Sequence, residues 1–208
     1  MTLFDTLWFR NMTTPEGMEA AQLARNIAEG NGYTTGMIRP LAVRLIQNQQ
    51  GQTGALLKEA LPDLHNPPLY PVLLAGWLKI MPFRYVIASG QNFDYHRPDL
   101  WIAIFNQLLL VLAALLVFRL ATALFDTTAG WMSLGILSTT WLFWQFTFTG
   151  HSTMLLVVLF LLLVHCLFKA DEAASAEVPQ TGKIATWAVL AGVCLGLGAL
   201  TRYSFLWL

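Results

Sequence analysis

Glu16 and Glu19 are the carboxylates in this chain whose placement suggests chemistry. They follow Thr13-Thr14-Pro15, where a threonine can cap a helix and the proline fits its first turn. Three residues apart on that helix, they share a face near the positive end of its dipole. Two roles are open to such a group. It can take a proton as a general base, or it can cap the helix, because Thr13 to Glu16 has the capping-box spacing. Arg25, Arg39 and Arg202 carry guanidinium groups suited to phosphate or carboxylate. Arg202 stands near the end of an apolar run, where a charge either snorkels or serves a function. His65 precedes Pro67-Pro68 and His151 sits in a short polar turn; each can meet a substrate or simply be a polar loop residue. His165 falls inside an apolar run and is expected to pack on or bond a neighbouring helix. No set of ligand-type residues has metal-site spacing, so no metal ligand is assigned.

These residues hang on a strongly apolar chain. Hydrophobic residues make up 56% of the 208 and charged ones 12%, with zero formal net charge, which gives no sign of nucleic-acid binding. From Leu100 onward, short polar breaks cut four apolar pieces: Leu100–Phe125, Ala129–Phe148, Thr153–Phe168 and Ile184–Leu208. A helix of ~20 apolar residues crosses a bilayer core of ~30 Å. Because these pieces are rich in Leu, Val and Ala without alternation, they read as helices rather than barrel strands. The fold expected is all-α and polytopic, with about four transmembrane helices and an external region of amphipathic and interfacial helices. Cys166 and Cys194 lie in apolar runs and read as small core residues. Several of the eight tryptophans fall near span ends, where an aromatic belt belongs. The series Gly192, Gly196, Gly198 and Ala199 is expected to let helices approach closely.

Residues 1–99 are too poor in apolar side chains for a large core of their own and form the expected external region; 100–208 form the membrane region. The first helix is expected to bury a face through Met18, Ala21, Ala24 and Ile27 and to end at Gly30-Asn31-Gly32. Gln47–Gln52 reads as a polar loop. The prolines of His65-Asn66-Pro67-Pro68-Leu69-Tyr70-Pro71 hold off any helix until about Leu69. The helix Leu69–Ile87 is interrupted by Lys79, Pro82 and Arg84, so it is expected to lie on the membrane rather than cross it. Arg119, Lys169 and Lys183 mark the cytoplasmic side, which puts residues 1–99 outside. Met1–Arg10 lacks the basic start and apolar core of a signal peptide, and Phe205–Leu208 stops inside an apolar run. The chain is therefore expected to be an amino-terminal portion of a longer protein, without its first span.

In order and spacing, four segments resemble the amino-terminal half of the GT-C membrane glycosyltransferases. They are Glu16 through Leu23-Ala24-Arg25-Asn26 to Ala28-Glu29-Gly30-Asn31-Gly32-Tyr33, then His65–Pro71, then Arg119–Phe125, then Gly196–Ser204. The nearest look is to the protein mannosyltransferases and the lipid A aminoarabinose or galacturonic acid transferases. That resemblance implies a sugar passed from a polyprenyl-phosphate donor to a lipid, glycan or protein hydroxyl. It implies that a carboxylate opening the first external loop acts as base. Glu16 occupies that place, with Glu19 second; the family's Asp-Glu pair is not reproduced, since Pro15 and Gly17 flank Glu16. Where the family often has an Asp after the second span, this chain has Gly150-His151-Ser152. Arg202 matches the family cation thought to meet the donor phosphate, with Arg25 and Arg39 as alternatives. His65 and His151 complete the expected substrate contacts.

A base suits the reaction, because an acceptor hydroxyl must lose its proton while the phosphate leaves unaided. The implied partners are the lipid-phosphate sugar and membrane lipids, with no nucleic acid. No cofactor is required by the sequence, and a divalent cation stays open. The family look implies a bacterial inner membrane. Two alternatives stand beside the enzyme: a non-catalytic GT-C relative, and a transporter-like membrane fragment, which broken helices and intramembrane polar sites would mark.

Overall fold

A computed structural model of the chain describes residues 12, 14–40, 44, 48, 61–63, 65–81 and 97–207. Within these, the elements in order are helix α1 (Pro15–Ala28), strands β1 (Thr34–Thr35) and β2 (Leu61–Pro62), and helices α2 (Leu69–Ile80), α3 (Arg97–Leu124), α4 (Thr127–Thr139), α5 (Trp141–Phe148), α6 (Thr153–Ala174) and α7 (Thr181–Thr201). A 3-10 turn, Tyr203–Trp207, follows. The chain divides into two compact units, Met1–Phe105 with Phe148–His151, and Asn106–Thr147 with Ser152–Leu208.

In the first unit α1 packs on α2. Leu23, Ala24, Tyr70, Leu74, Ala75 and Leu78 are buried. The buried face of α1 is Gly17, Glu19, Leu23 and Ala24. That corrects the expected Met18–Ala21–Ala24–Ile27 face, for Met18 is 52% exposed. The apolar periodicity misled because a charged residue, paired internally, takes a core position. As expected the helix stops at the glycines: Gly30 and Gly32 have φ of 85° and 76°, a region that glycine enters without a Cβ clash.

The segment after α1 is sewn back by polar groups. Thr34 and Thr35 pair antiparallel with Pro62 and Leu61. Asn26 Nδ2 donates to the Thr34 carbonyl at 2.6 Å. The Tyr33 hydroxyl donates to the Asn66 carbonyl at 2.8 Å. Asp63 accepts from the backbone N–H of His65 at 2.8 Å and from Asn66 Nδ2 at 2.6 Å. These bonds hold the proline-rich entry to α2. At 12 residues, α2 is about 18 Å long, short of the ~30 Å core. Its helix ends at Met81; Pro82 and Arg84, like Met1–Arg10, Thr13 and the Gln47–Gln52 run apart from Asn48, lie outside the described residues. Trp77 joins α2 to the start of α3, donating from Nε1 to the Trp101 carbonyl at 2.9 Å and stacking edge-on against the Trp101 ring.

The second unit contains the apolar lengths. Helices α3, α6 and α7, of 28, 22 and 21 residues, are each long and apolar enough to cross a membrane. At 1.5 Å per residue they reach about 42, 33 and 31 Å. The protein is an all-α polytopic membrane protein. The expected piece Ala129–Phe148 is instead broken in two at Thr140, which has an extended ψ of 108°. Side-chain donors gather at the break. Thr139 donates to the Gly135 carbonyl at 2.9 Å, Thr140 to that of Ile136 at 2.7 Å, and Trp144 Nε1 to that of Ser138 at 2.8 Å. The Ile136 carbonyl still accepts the Thr140 N–H at 3.1 Å, whereas the Trp144 indole takes the Ser138 carbonyl that the N–H of residue 142 would take in a continuous helix.

Packing in this unit is largely apolar, with Asn106, Gln107, Thr147 and Thr201 buried among the apolar side chains. Leu110, Leu137 and Met154 form one cluster; Ala113, Leu116 and Val158 a second. Helices α6 and α7, joined by a six-residue link, pack through Leu163, Cys166 and Ala191. His165 stacks edge-on against Trp187 at 6.1 Å, the packing role expected of it. The glycine series is used differently from its expectation. A Cβ at Gly192 or Gly196 would meet open space among the described residues, whereas one at Gly198 would overlap the Phe205 ring. Only Gly198 serves close approach there, and it does so for the chain's own turn.

Candidate functional site

Helix α1 presents two polar places. The first lies at its amino end. Thr14 is the N-cap residue, with Pro15 in the first turn, but no side-chain cap bond forms. The Thr14 hydroxyl instead donates to the Thr149 carbonyl at 2.6 Å. The helix therefore starts one residue later than a Thr13 capping box requires, and that role for Glu16 is not supported. The Glu16 side chain is 78% exposed, with Oε2 3.8 Å from His151 Nδ1.

Glu19 lies about 60° around the helix from Glu16, and its environment is opposite. Its side chain is 5% exposed, and both carboxylate oxygens accept from one terminal nitrogen of Arg39, at 2.7 and 2.6 Å. The Arg39 guanidinium thus engages both oxygens of the Glu19 carboxylate. Arg39 Nε is buried without a partner among the described residues, so this pair is imperfectly satisfied.

The second place is a cleft of ≈ 470 Å³ in the same unit. Glu19, Arg25 and Asp99 are its charged lining, with Met18, Leu78 and Ile102 among its apolar walls. Asp99 Oδ2 accepts from the Met12 backbone N–H at 3.4 Å. Sequence reasoning treated Asp99 only as a boundary. Its signal was the Pro98-Asp99 pair opening the first long apolar run, where an acid in a first helical turn is also ordinary.

The other expected residues are dispersed. His65 is exposed, and its backbone is held by Asp63. Arg202 belongs to the second unit, exposed at the carboxyl end of α7, where its carbonyl accepts from the Phe205 N–H at 2.9 Å. The structure thus joins Glu16 with His151 and Glu19 with Arg39, and Arg25 lines the same cleft as Glu19. Among the described residues no cluster of His, Cys, Asp and Glu could hold a metal ion.

The family described as dolichyl-phosphate-mannose-protein mannosyltransferase matches residues 47–208. The chain belongs to this family. It is thereby a membrane glycosyltransferase of GT-C type. No curated protein and no solved structure matches the chain. The match begins beyond α1, so Glu16, Glu19, Arg25 and Arg39 lie outside the matched residues, and His65, His151 and Arg202 within them.

Proposed function

We propose that this protein transfers a sugar from a polyprenyl-phosphate donor to an acceptor hydroxyl, with Glu16 as the general base. The observation that carries this reading is the contrast between the two acids of α1. Glu16 is open to solvent and substrate, whereas Glu19 is buried and occupied by Arg39. The acceptor oxygen attacks the anomeric carbon as its proton passes to Glu16. The bond from that carbon to the phosphate oxygen breaks, and the lipid phosphate leaves with the electron pair, inverting the centre. Arg202, exposed at a span end, is assigned to the donor phosphate, with Arg25 as the second cation. Arg39 serves Glu19 instead. His65 is kept as an acceptor contact because it is exposed at the entry to α2.

The protein is read as an inner-membrane enzyme with its first unit outside the cytoplasm and the Lys169–Lys183 link inside, on the sparse basic loops. Cysteines placed at Asn31 and Ser175 test this: an impermeant reagent on intact cells should label position 31 alone, and the reverse pattern overturns the orientation.

The chemical test is Glu16→Gln, assayed with polyprenyl-phosphate mannose in membranes. Turnover should fall by about 10²–10⁴-fold while the protein stays folded. Wild-type turnover in a folded variant ends the claim for Glu16. The cleft supports a second reading, since it gathers Asp99 and Arg25 in one recess. In that reading Asp99→Asn, and not Glu16→Gln, abolishes turnover.

A further inference from the structure

The turn between α5 and α6 is held against the start of α1 more firmly than an exposed turn requires. Gly17 is buried, and a Cβ there would overlap the Thr149 carbonyl oxygen. That same oxygen accepts the Thr14 hydroxyl at 2.6 Å. Gly150 has φ of 71°, and a Cβ on it would lie 3.2 Å from the Gly17 Cα and 2.8 Å from the Met12 sulfur. Two glycines from distant parts of the chain are thus needed at one crossing, one for closeness and one for closeness and backbone shape. The next residue after this crossing is His151, with Nδ1 3.8 Å from Glu16 Oε2 and a side chain only 26% exposed.

An isolated surface pair at this distance has little hold on a glutamate, which keeps its rotamer freedom. Here the turn bearing the histidine is fixed on both sides of α1's first turn. The imidazole therefore stands at a set place beside an otherwise unrestrained carboxylate.

We propose that His151 is a positioning residue for Glu16, directing its Nδ1–H to Oε2 so that the other carboxylate oxygen faces the acceptor hydroxyl. A side-chain movement of about 1 Å closes the pair to hydrogen-bond length. Thr14, Gly17 and Gly150 set the geometry by locking the turn. This rests on Glu16 being the base, and it adds a residue that touches the base and not the reacting atoms. Holding a reacting group in one orientation is worth much in rate, since misplacement by about 1 Å can cost 10²-fold.

The bond fixes a tautomer. A neutral histidine donating from Nδ1 carries its proton there, whereas a solvated one is free to carry it on Nε2. Nitrogen NMR of isotopically labelled histidine in the full chain in nanodiscs, with His151→Asn used to assign the signal, should show the Nδ1–H form. Glu16→Gln should shift His151 toward Nε2–H. An Nε2–H signal in the wild-type protein, or no change on Glu16→Gln, overturns the proposal whatever the activity. With polyprenyl-phosphate mannose, His151→Ala should lower kcat about 10-fold to 100-fold with donor KM unchanged. His151→Asn, whose amide nitrogen can replace Nδ1, should recover most of the loss. Equal loss in both variants also overturns it. Thr14→Val loosens the turn without adding bulk, and should reproduce part of the His151→Ala loss but add little to it. If Glu16→Gln leaves turnover intact while the tautomer responds as stated, the base assignment fails and the pairing stands.

Discussion

The two units of this protein differ in the balance of directional bonds and apolar packing. In the first, α1, the β1–β2 pair and the entry to α2 are joined by side-chain bonds: Glu19 to Arg39, Asn26 to Thr34, Tyr33 to Asn66 and Thr14 to Thr149. In the second, α6 and α7 meet through Leu163, Cys166 and Ala191, and the clusters around Leu110 and Ala113 are apolar throughout. Its exposed side chains, among them Leu108, Val111, Leu112, Val189 and Val193, suit lipid rather than water. The comparison teaches where specificity resides. Directional bonds fix Glu19 and Asp63 in the first unit, whereas the second relies more on apolar packing, with Asn106, Gln107, Thr147 and Thr201 buried inside it.

Substitutions in each unit test that contrast. Glu19→Ala leaves Arg39 partly buried without its carboxylate. Breaking a buried pair costs about 3–5 kcal/mol, and the 29% exposure of Arg39 brings the expectation down to on the order of 2 kcal/mol. Unfolding in detergent should show it. A loss below a few tenths would mean that packing, not this pair, holds α1. In the second unit the same kind of damage requires bulk. Gly198→Leu must displace the Phe205 ring and should cost about 1–3 kcal/mol, read as a lower thermal midpoint. The matching substitution Gly192→Leu, where a Cβ meets open space, should leave the midpoint within error. A smaller effect is expected at the junction of α2 and α3. Trp77→Phe keeps a ring against Trp101 and Phe105 but loses the indole donor, for about 1 kcal/mol by chemical denaturation. Smallest is Lys169→Ala, since its partner Glu172 is 59% exposed in an i,i+3 pair. No measurable shift in the thermal midpoint is expected. A clear shift would show that charge pairing matters in the apolar unit as well.

The long apolar runs were legible from sequence because crossing a bilayer imposes length and composition on a segment whatever its neighbours. The start of α1 at Pro15, its end just before Gly30, and the onset of α2 at Leu69 were legible for a similar reason. Proline and glycine act on the backbone locally. The family was legible in the order of short motifs; the match over residues 47–208 takes in the segments from His65 onward and not the first, Glu16 to Tyr33. Three things were decided only in three dimensions. Glu16 and Glu19 look equivalent in sequence, yet one is exposed and the other buried, because Arg39, twenty residues on, folds back to only one of them. The apolar piece Ala129–Phe148 became two helices at Thr140, where the Trp144 indole takes the Ser138 carbonyl that a continuous helix would use. Gly17 and Gly150 lie 133 positions apart and acquire their purpose only where the α5–α6 turn crosses α1. Local sequence specifies what a backbone can do; which carboxylate is left free depends on which distant cation and carbonyl arrive beside it.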